Sequence, residues 1–189
     1  MLETIKNGAI LFAITVISAA LLIGVNALTK NVTAENGEKE TRINLTKILP
    51  QSVNFSEDIK TGAETGVVLY NEGYGENGEV CGYVFTVMVN GYSGAFPIYV
   101  GVEDGLVTNV EIGENNEMPG LGKNVESKKF TDKFIGKGMS LTVVKGKSSS
   151  DSQIQAVTSA TKTSKEVVGG VNRATEYYNF YLKGKQVAE

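Results

Sequence analysis

The chain has 189 residues, 18 of them basic and 21 acidic, giving a formal net charge of −3. It has no histidine and one cysteine, Cys81. This excludes imidazole catalysis, histidine-bound metal or haem, an intramolecular disulfide and a cysteine-ligated metal or iron–sulfur site. No basic stripe is evident, which argues against nucleic-acid binding.

Gly8 to Leu28 is a 21-residue run without charge. As a helix it would be about 31 Å long, enough to cross a hydrocarbon core of about 30 Å. A cleaved signal peptide competes with that reading. Its apolar stretch would run about 7–15 residues and end in a small-x-small site, of which Val25-Asn26-Ala27 is a poor version. Residues 1–30 are therefore expected to be a retained membrane anchor, in lipid through residues 8–28. Charge does not orient it. Lys6 precedes the run and Lys30, Lys39, Arg42 and Lys47 follow it, but the positive-inside count weakens before a long domain.

Residues 31–60 read as a polar stalk, in which Ile43, Leu45, Ile48 and Leu49 suggest a short amphipathic helix stopping at Pro50. The domain proper is expected over 61–189. From about 65 to 113 the texture is that of strands: TGVVLYNE, EVCGYVFTVMVNGY, AFPIYVGVE and LVTNVEIGE, with Asn77-Gly78 and Asp104-Gly105 where tight hairpins belong. Residues 125–135 predict a short helix with Phe130 and Phe134 on one face, and residues 139–146 a further strand. Val167, Val168, Val171, Ala174, Tyr178, Tyr181 and Leu182 follow helical spacing over 164–182. Thr163-Ser164-Lys165-Glu166 offers that helix a capping box, with Thr163 as N-cap, and Gly169-Gly170 weakens it. The expected fold class is α+β, a mostly antiparallel sheet with flanking helices preceded by one N-terminal transmembrane helix.

Three segments carry chemistry. In Asn90-Gly91-Tyr92-Ser93-Gly94, glycines flank an aromatic, so backbone can approach a flat ligand while the ring packs on it. Alone, the segment is equally an ordinary hairpin turn. Glu117-Met118-Pro119-Gly120-Leu121-Gly122-Lys123 can present N–H groups and Lys123 to an anion, or Leu121 to an aromatic ring. Thr158-Ser159-Ala160-Thr161-Lys162-Thr163-Ser164 is rich in hydroxyls and runs into a helix start. Its small residues at 159 and 160 leave room around Thr161, and a phosphate there would meet unpaired N–H groups and the positive end of the helix dipole. A hydroxyl-rich cap is the simpler alternative.

In this order, behind a single N-terminal span, these segments resemble the FMN-binding domain shared by the G subunit of Rnf-type ferredoxin:NAD oxidoreductases and the C subunit of the sodium-pumping NADH:quinone oxidoreductase. The resemblance covers essentially the whole chain. It implies FMN esterified through its phosphate to the threonine of a Ser/Thr-Gly-Ala-Thr motif by a separate flavin transferase, with Thr161 in the acceptor position. The chain departs from that pattern at Ser159, where the family usually has glycine, at Gln155, where aspartate often stands, and at Met118, which replaces the usual threonine. On that basis Ser159, Thr163 and the N-terminus of the 164–182 helix are expected to serve the phosphate, and Tyr92 and Leu121 to border the ring. Ala160, Gly94, Glu117, Gly120 and Gly122 are expected to contribute to cofactor binding, and Lys123 to counter charge on the reduced flavin.

The implied function is a membrane-anchored electron carrier working among other membrane subunits of an ion-translocating complex, with the domain on the extracytoplasmic side of the cytoplasmic membrane. Length favours the Rnf-type complex, because the quinone-reducing counterpart usually carries an insertion before the Gly-Tyr segment. That counterpart and an anchored, non-redox FMN-binding or regulatory module are the alternatives. No residue is expected as a catalytic acid or base, and no metal is expected; the enzyme label belongs to the complex. A stand-alone flavin reductase is disfavoured because no G-x-G-x-x-G fingerprint follows a strand.

Overall fold

Apolar residues alternate along residues 67–112, and the strands they form place one row of side chains on each face of a sheet. The computed structural model describes residues 7–8, 11–12, 15–16, 18–19, 45–62 and 65–184. Strands β1 (Asn54–Phe55), β2 (Ile59–Lys60), β3 (Val67–Tyr74), β4 (Val80–Asn90), β5 (Ala95–Glu103) and β6 (Leu106–Ile112) form one antiparallel sheet in the order β1-β3-β4-β5-β6, with β2 also on β3. The β5–β6 turn has Asp104 at φ 49° and Gly105 at φ 80°, the pair of positive values that a two-residue hairpin with right-handed strand twist requires. Strands β4 and β5 pair out to Asn90 and Ala95. This leaves a four-residue tip, residues 91–94, closed by the Gly91 N–H donating to the Gly94 carbonyl at 2.9 Å.

On the front face Tyr83, Phe85, Val87 and Val89 of β4 stand beside Ile98, Val100 and Val102 of β5, all buried. The C-terminal helix, Thr161–Tyr177, lays Val167, Val168, Val171 and Ala174 on this face. Gly170 marks the closest approach, since a Cβ there would run into Ile98 and Val89. The glycine expected to weaken the helix is thus what lets it lie close to the sheet. The helix begins three residues earlier than its periodicity suggests and ends in a π-helical turn, Tyr178–Leu182. The capping box does not form. Ala160 is the N-cap, with no side-chain cap, because the Thr163 hydroxyl is turned inward to Glu117 and the Ser164 hydroxyl accepts the Val157 N–H.

The back face differs from expectation. Residues 45–60, assigned to the stalk by their polarity, pack on the sheet, and the compact unit runs from Asn44 to Glu189. Leu45, Ile48 and Leu49, on a helical turn at 45–48, are buried with Val84. They fit because Gly73, Gly82 and Gly101, on three adjacent strands, form a trough. A Cβ at Gly73 would meet Ser52 and Leu49, one at Gly82 Leu49, and one at Gly101 Ile48 and Thr108. The Thr108 hydroxyl and the Asn109 amide donate to the carbonyls of Ile48 (2.9 Å) and Lys47 (3.0 Å).

Two further elements are less regular than predicted. Residues 122–134 break into a 3₁₀ turn (Gly122–Glu126), a helical turn (Lys128–Thr131) and a second 3₁₀ turn (Asp132–Phe134), with Phe130 and Phe134 buried edge to face at 5.4 Å. The strand expected at 139–146 shortens to β7 (Thr142–Val144). It pairs in parallel with β8 (Gln153–Gln155) in a separate small sheet. Of the expected membrane span, only Gly8, Leu11, Phe12, Thr15, Val16, Ser18 and Ala19 are described, all helical; the rest lies outside the described residues. Among the described residues no helix is long and apolar enough to cross a membrane.

Candidate functional site

The hairpin tip of β4–β5, the loop after β6 and the start of the C-terminal helix meet in one place. Packing of the helix on β4 and β5 carries its N-terminus to the tip of the same two strands, and the 113–121 loop closes the third side. The result is a cavity of about 250 Å³ lined by Tyr92 from the first segment, Glu117, Met118, Leu121 and Gly122 from the second, and residues 159–163 from the third. Tyr92 is 70% exposed, and Met118 and Leu121 are also partly exposed. The cavity therefore offers an aromatic and two aliphatic surfaces to a flat apolar ligand.

Its polar end is the helix start. The Ser164 N–H, which donates to the Ala160 carbonyl at 2.9 Å, makes the first helical hydrogen bond. The N–H groups of Thr161, Lys162 and Thr163 precede that bond, and no side chain caps them. Uncapped donors at the positive end of a 17-residue helix favour an anion. Thr161, the first helical residue, is half-buried, and its neighbour Lys162 places its ammonium 5.8 Å from the Tyr92 ring centroid. Glu117, 3% exposed, lies between the segments. Its Oε1 accepts the Ser93 N–H at 2.8 Å and its Oε2 accepts the Thr163 hydroxyl at 3.0 Å.

Ser159 adopts φ 64°, the left-handed region in which glycine carries no Cβ penalty. The departure from glycine in this segment is thus a conformational one, and the chain tolerates it with a small side chain. Ser159→Gly is expected to change unfolding free energy by less than about 1 kcal/mol, because relief of the left-handed penalty is offset by the freedom glycine gains in the unfolded chain. Ser159→Val should lose roughly 2 kcal/mol through its β-branch. Urea unfolding of the domain measures both, and a valine variant as stable as the parent would refute the left-handed assignment.

The lining contains Thr161, Ser159, Ala160, Thr163, Tyr92, Glu117, Leu121 and Gly122 from the residues singled out in the sequence. Gly94 (φ 130°) and Gly120 (φ 76°) shape turns and are not in the lining. Lys123 is also absent from it and faces Glu126 at 3.8 Å. Met118 and Lys162 line the cavity although the sequence reading assigns neither to the site; both stand inside the motifs, and adjacency to Thr161 is the signal for Lys162. A second cavity of about 310 Å³ is lined by Thr158, Lys129 and Lys133 together with polar residues such as Gln155 and apolar ones such as Phe130 and Val157. Burial and the nearby Lys129 hold Lys133 below the usual lysine range. That cavity contains neither Thr161 nor Tyr92.

Residues 91–176, which contain the second and third segments and the first from Gly91 onward, match the FMN-binding domain family. The chain is 35% identical over 188 residues to the G subunit of the Na(+)-translocating ferredoxin:NAD(+) oxidoreductase complex of Acetobacterium woodii, across 92% of this chain and 90% of that one. It is 43% identical over 105 residues to the G subunit of the proton-translocating ferredoxin:NAD(+) oxidoreductase complex of Clostridium ljungdahlii, across 54% and 56% respectively. The crystal structure of the C subunit of the Na(+)-translocating NADH-quinone reductase from Parabacteroides distasonis superposes with a TM-score of 0.49 at 22% identity, covering 60% of this chain and 63% of that one.

Proposed function

The chain belongs to the family of G subunits of ion-translocating ferredoxin:NAD oxidoreductase complexes, and from that premise we propose that it is the FMN-carrying electron-transfer subunit of such a complex, with FMN esterified to Thr161. The observation that carries this reading is the meeting of an attachable hydroxyl, an uncapped helix N-terminus and an aromatic–aliphatic surface in a single cavity.

The residues present fit the group. A phosphate on Thr161 would lie against the N–H groups of residues 161–163, with Lys162 the only cation in the lining among the described residues. Tyr92, Met118 and Leu121 supply apolar surface for the ring. About 250 Å³ is at the lower edge of what encloses a small ligand, so part of the group would stay uncovered, as exchange of electrons with neighbouring subunits requires. Bound FMN supplies the electron chemistry, while the chain attaches it, balances the phosphate charge and packs the ring.

Residues 8–28 form the single-pass anchor in this reading. The linker ends before Leu45, which is buried against the sheet with Val84. The domain stands on the extracytoplasmic side, where a covalent link keeps the cofactor from being lost, and a separate flavin transferase installs it. The test is in-gel fluorescence of the full chain, co-expressed with a flavin transferase and denatured. A band that stays fluorescent under ultraviolet light is expected; a dark band would point instead to a module that holds FMN without a covalent bond, or holds none.

A further inference from the structure

Glu117 is a buried carboxylate on an otherwise open rim, and it touches all three segments that form the cavity. Its own segment supplies it, its Oε1 accepts the Ser93 N–H of the hairpin tip, and its Oε2 accepts the Thr163 hydroxyl of the helix start. A backbone N–H can only donate, so Oε1 is fixed as an acceptor. The carboxylate is itself supported from behind. The Glu117 N–H donates to Asn115 Oδ1 at 3.1 Å, and the buried Asn115 donates through Nδ2 to Glu126 Oε1 and the Gly113 carbonyl.

Two glycines of the motifs are explained by the same side chain. A Cβ on Gly91 would run into the Glu117 carboxylate and the Phe96 ring, and a Cβ on Gly122 would run into the Glu117 carboxylate and its Cβ. Both positions are glycine to make room for Glu117, whereas the sequence suggests for Gly91 an approach of backbone to a ligand. Among the described residues Glu117 has no ion-pair partner, so its charge reaches the cavity it lines without a cation against it.

Resting on the flavin reading of this cavity, we propose that Glu117 is the positioning residue of the site: it clamps the Tyr92 hairpin tip to the helix that bears Thr161, and its charge opposes arrival of an electron at the bound group. The clamp fixes where the Tyr92 ring stands relative to Thr161. The charge lowers the reduction potential, since a fixed negative group in a weakly screened site disfavours added negative charge.

Glu117→Gln and Glu117→Ala in the full chain separate the two roles. The glutamine keeps an oxygen for the Ser93 N–H, and its NH₂ can donate to the Thr163 hydroxyl oxygen, which accepts as readily as it donates. The site should stay closed and load flavin, and the midpoint potential should shift upward. The alanine removes both contacts. In the flavin-free chain its Ser93 amide should exchange with solvent about tenfold faster or more, the factor that one hydrogen bond to a carboxylate represents. An unchanged potential in Glu117→Gln overturns the charge role, and unchanged Ser93 exchange in a folded Glu117→Ala overturns the clamp. If the alanine variant does not fold, Thr163→Val, which cuts one arm of the clamp, takes its place in the exchange measurement. A parent chain that takes up no flavin refutes the flavin reading but leaves the clamp decided by exchange, which is read without flavin.

Discussion

Replacing Thr161 by alanine is expected to abolish covalent flavin completely. The segment holds several hydroxyls, and the structure separates them. Thr163 is 1% exposed and its hydroxyl is bound to Glu117, while Ser164 is fully buried and accepts the Val157 N–H. Thr158 lines the other cavity, with Lys129 and Lys133. Ser159 does line the same cavity as Thr161, but it precedes the helix by two residues in a left-handed conformation. Thr161 alone among these hydroxyls both lines the cavity and stands at the first position of the helix, where an attached phosphate would be stabilised by about 0.3–1 kcal/mol from the dipole, besides direct N–H contacts. Intact mass of the full chain co-expressed with a flavin transferase should exceed that of the flavin-free chain by FMN less one water, about 438 Da by formula arithmetic for the attached group. Thr161→Ala should lose the whole increment, and Thr158→Ala and Ser159→Gly should keep it. Retention of the added mass by Thr161→Ala would overturn the attachment site.

Much of this site was legible in the sequence because its parts are loops with unusual composition, and each loop is local. What could not be read was why they belong together. Glu117 contacts residues 24 positions before it and 46 after it, and no local pattern encodes such a pairing. Gly91 looks like an opening for a ligand, and Gly122 like a turn residue, because a glycine in a sequence does not reveal which neighbour needs its space. The helix start is misplaced for a related reason. Thr163 and Glu166 have the spacing of a capping box, but the Thr163 hydroxyl finds a tertiary partner instead, and Ala160 carries no capping signal at all. In the sheet, alternation and the Asp104-Gly105 turn are local, so β3 to β6 appear where expected. The parallel pairing of β7 with β8 joins chain segments across an irregular loop, and short apolar runs do not announce such pairs.

The trough on the back of the sheet is hidden in the same way, and it sets the largest stability effect expected. Glycine ordinarily weakens a strand interior, yet Gly73, Gly82 and Gly101 are the floor on which Leu45, Ile48 and Leu49 lie. Ile48 and Leu49 are fully buried and Leu45 nearly so. At about 1.5–3 kcal/mol for each buried aliphatic side chain, removing all three forfeits roughly 5–9 kcal/mol, an upper estimate because the unfolded chain already hides part of that surface. Domains of this size are stable by about 5–15 kcal/mol, so the segment decides whether this one folds. A chain of residues 44–189 should unfold cooperatively in urea, whereas residues 54–189, which retain every strand, should lose cooperative unfolding or most of their stability. Gly101→Val in the longer chain should act in the same direction by driving its side chain into Ile48, including the backbone carbonyl to which Thr108 donates. If residues 54–189 prove as stable as 44–189, the segment merely rests on the sheet, and the stalk would extend to the first strand as its polarity suggested.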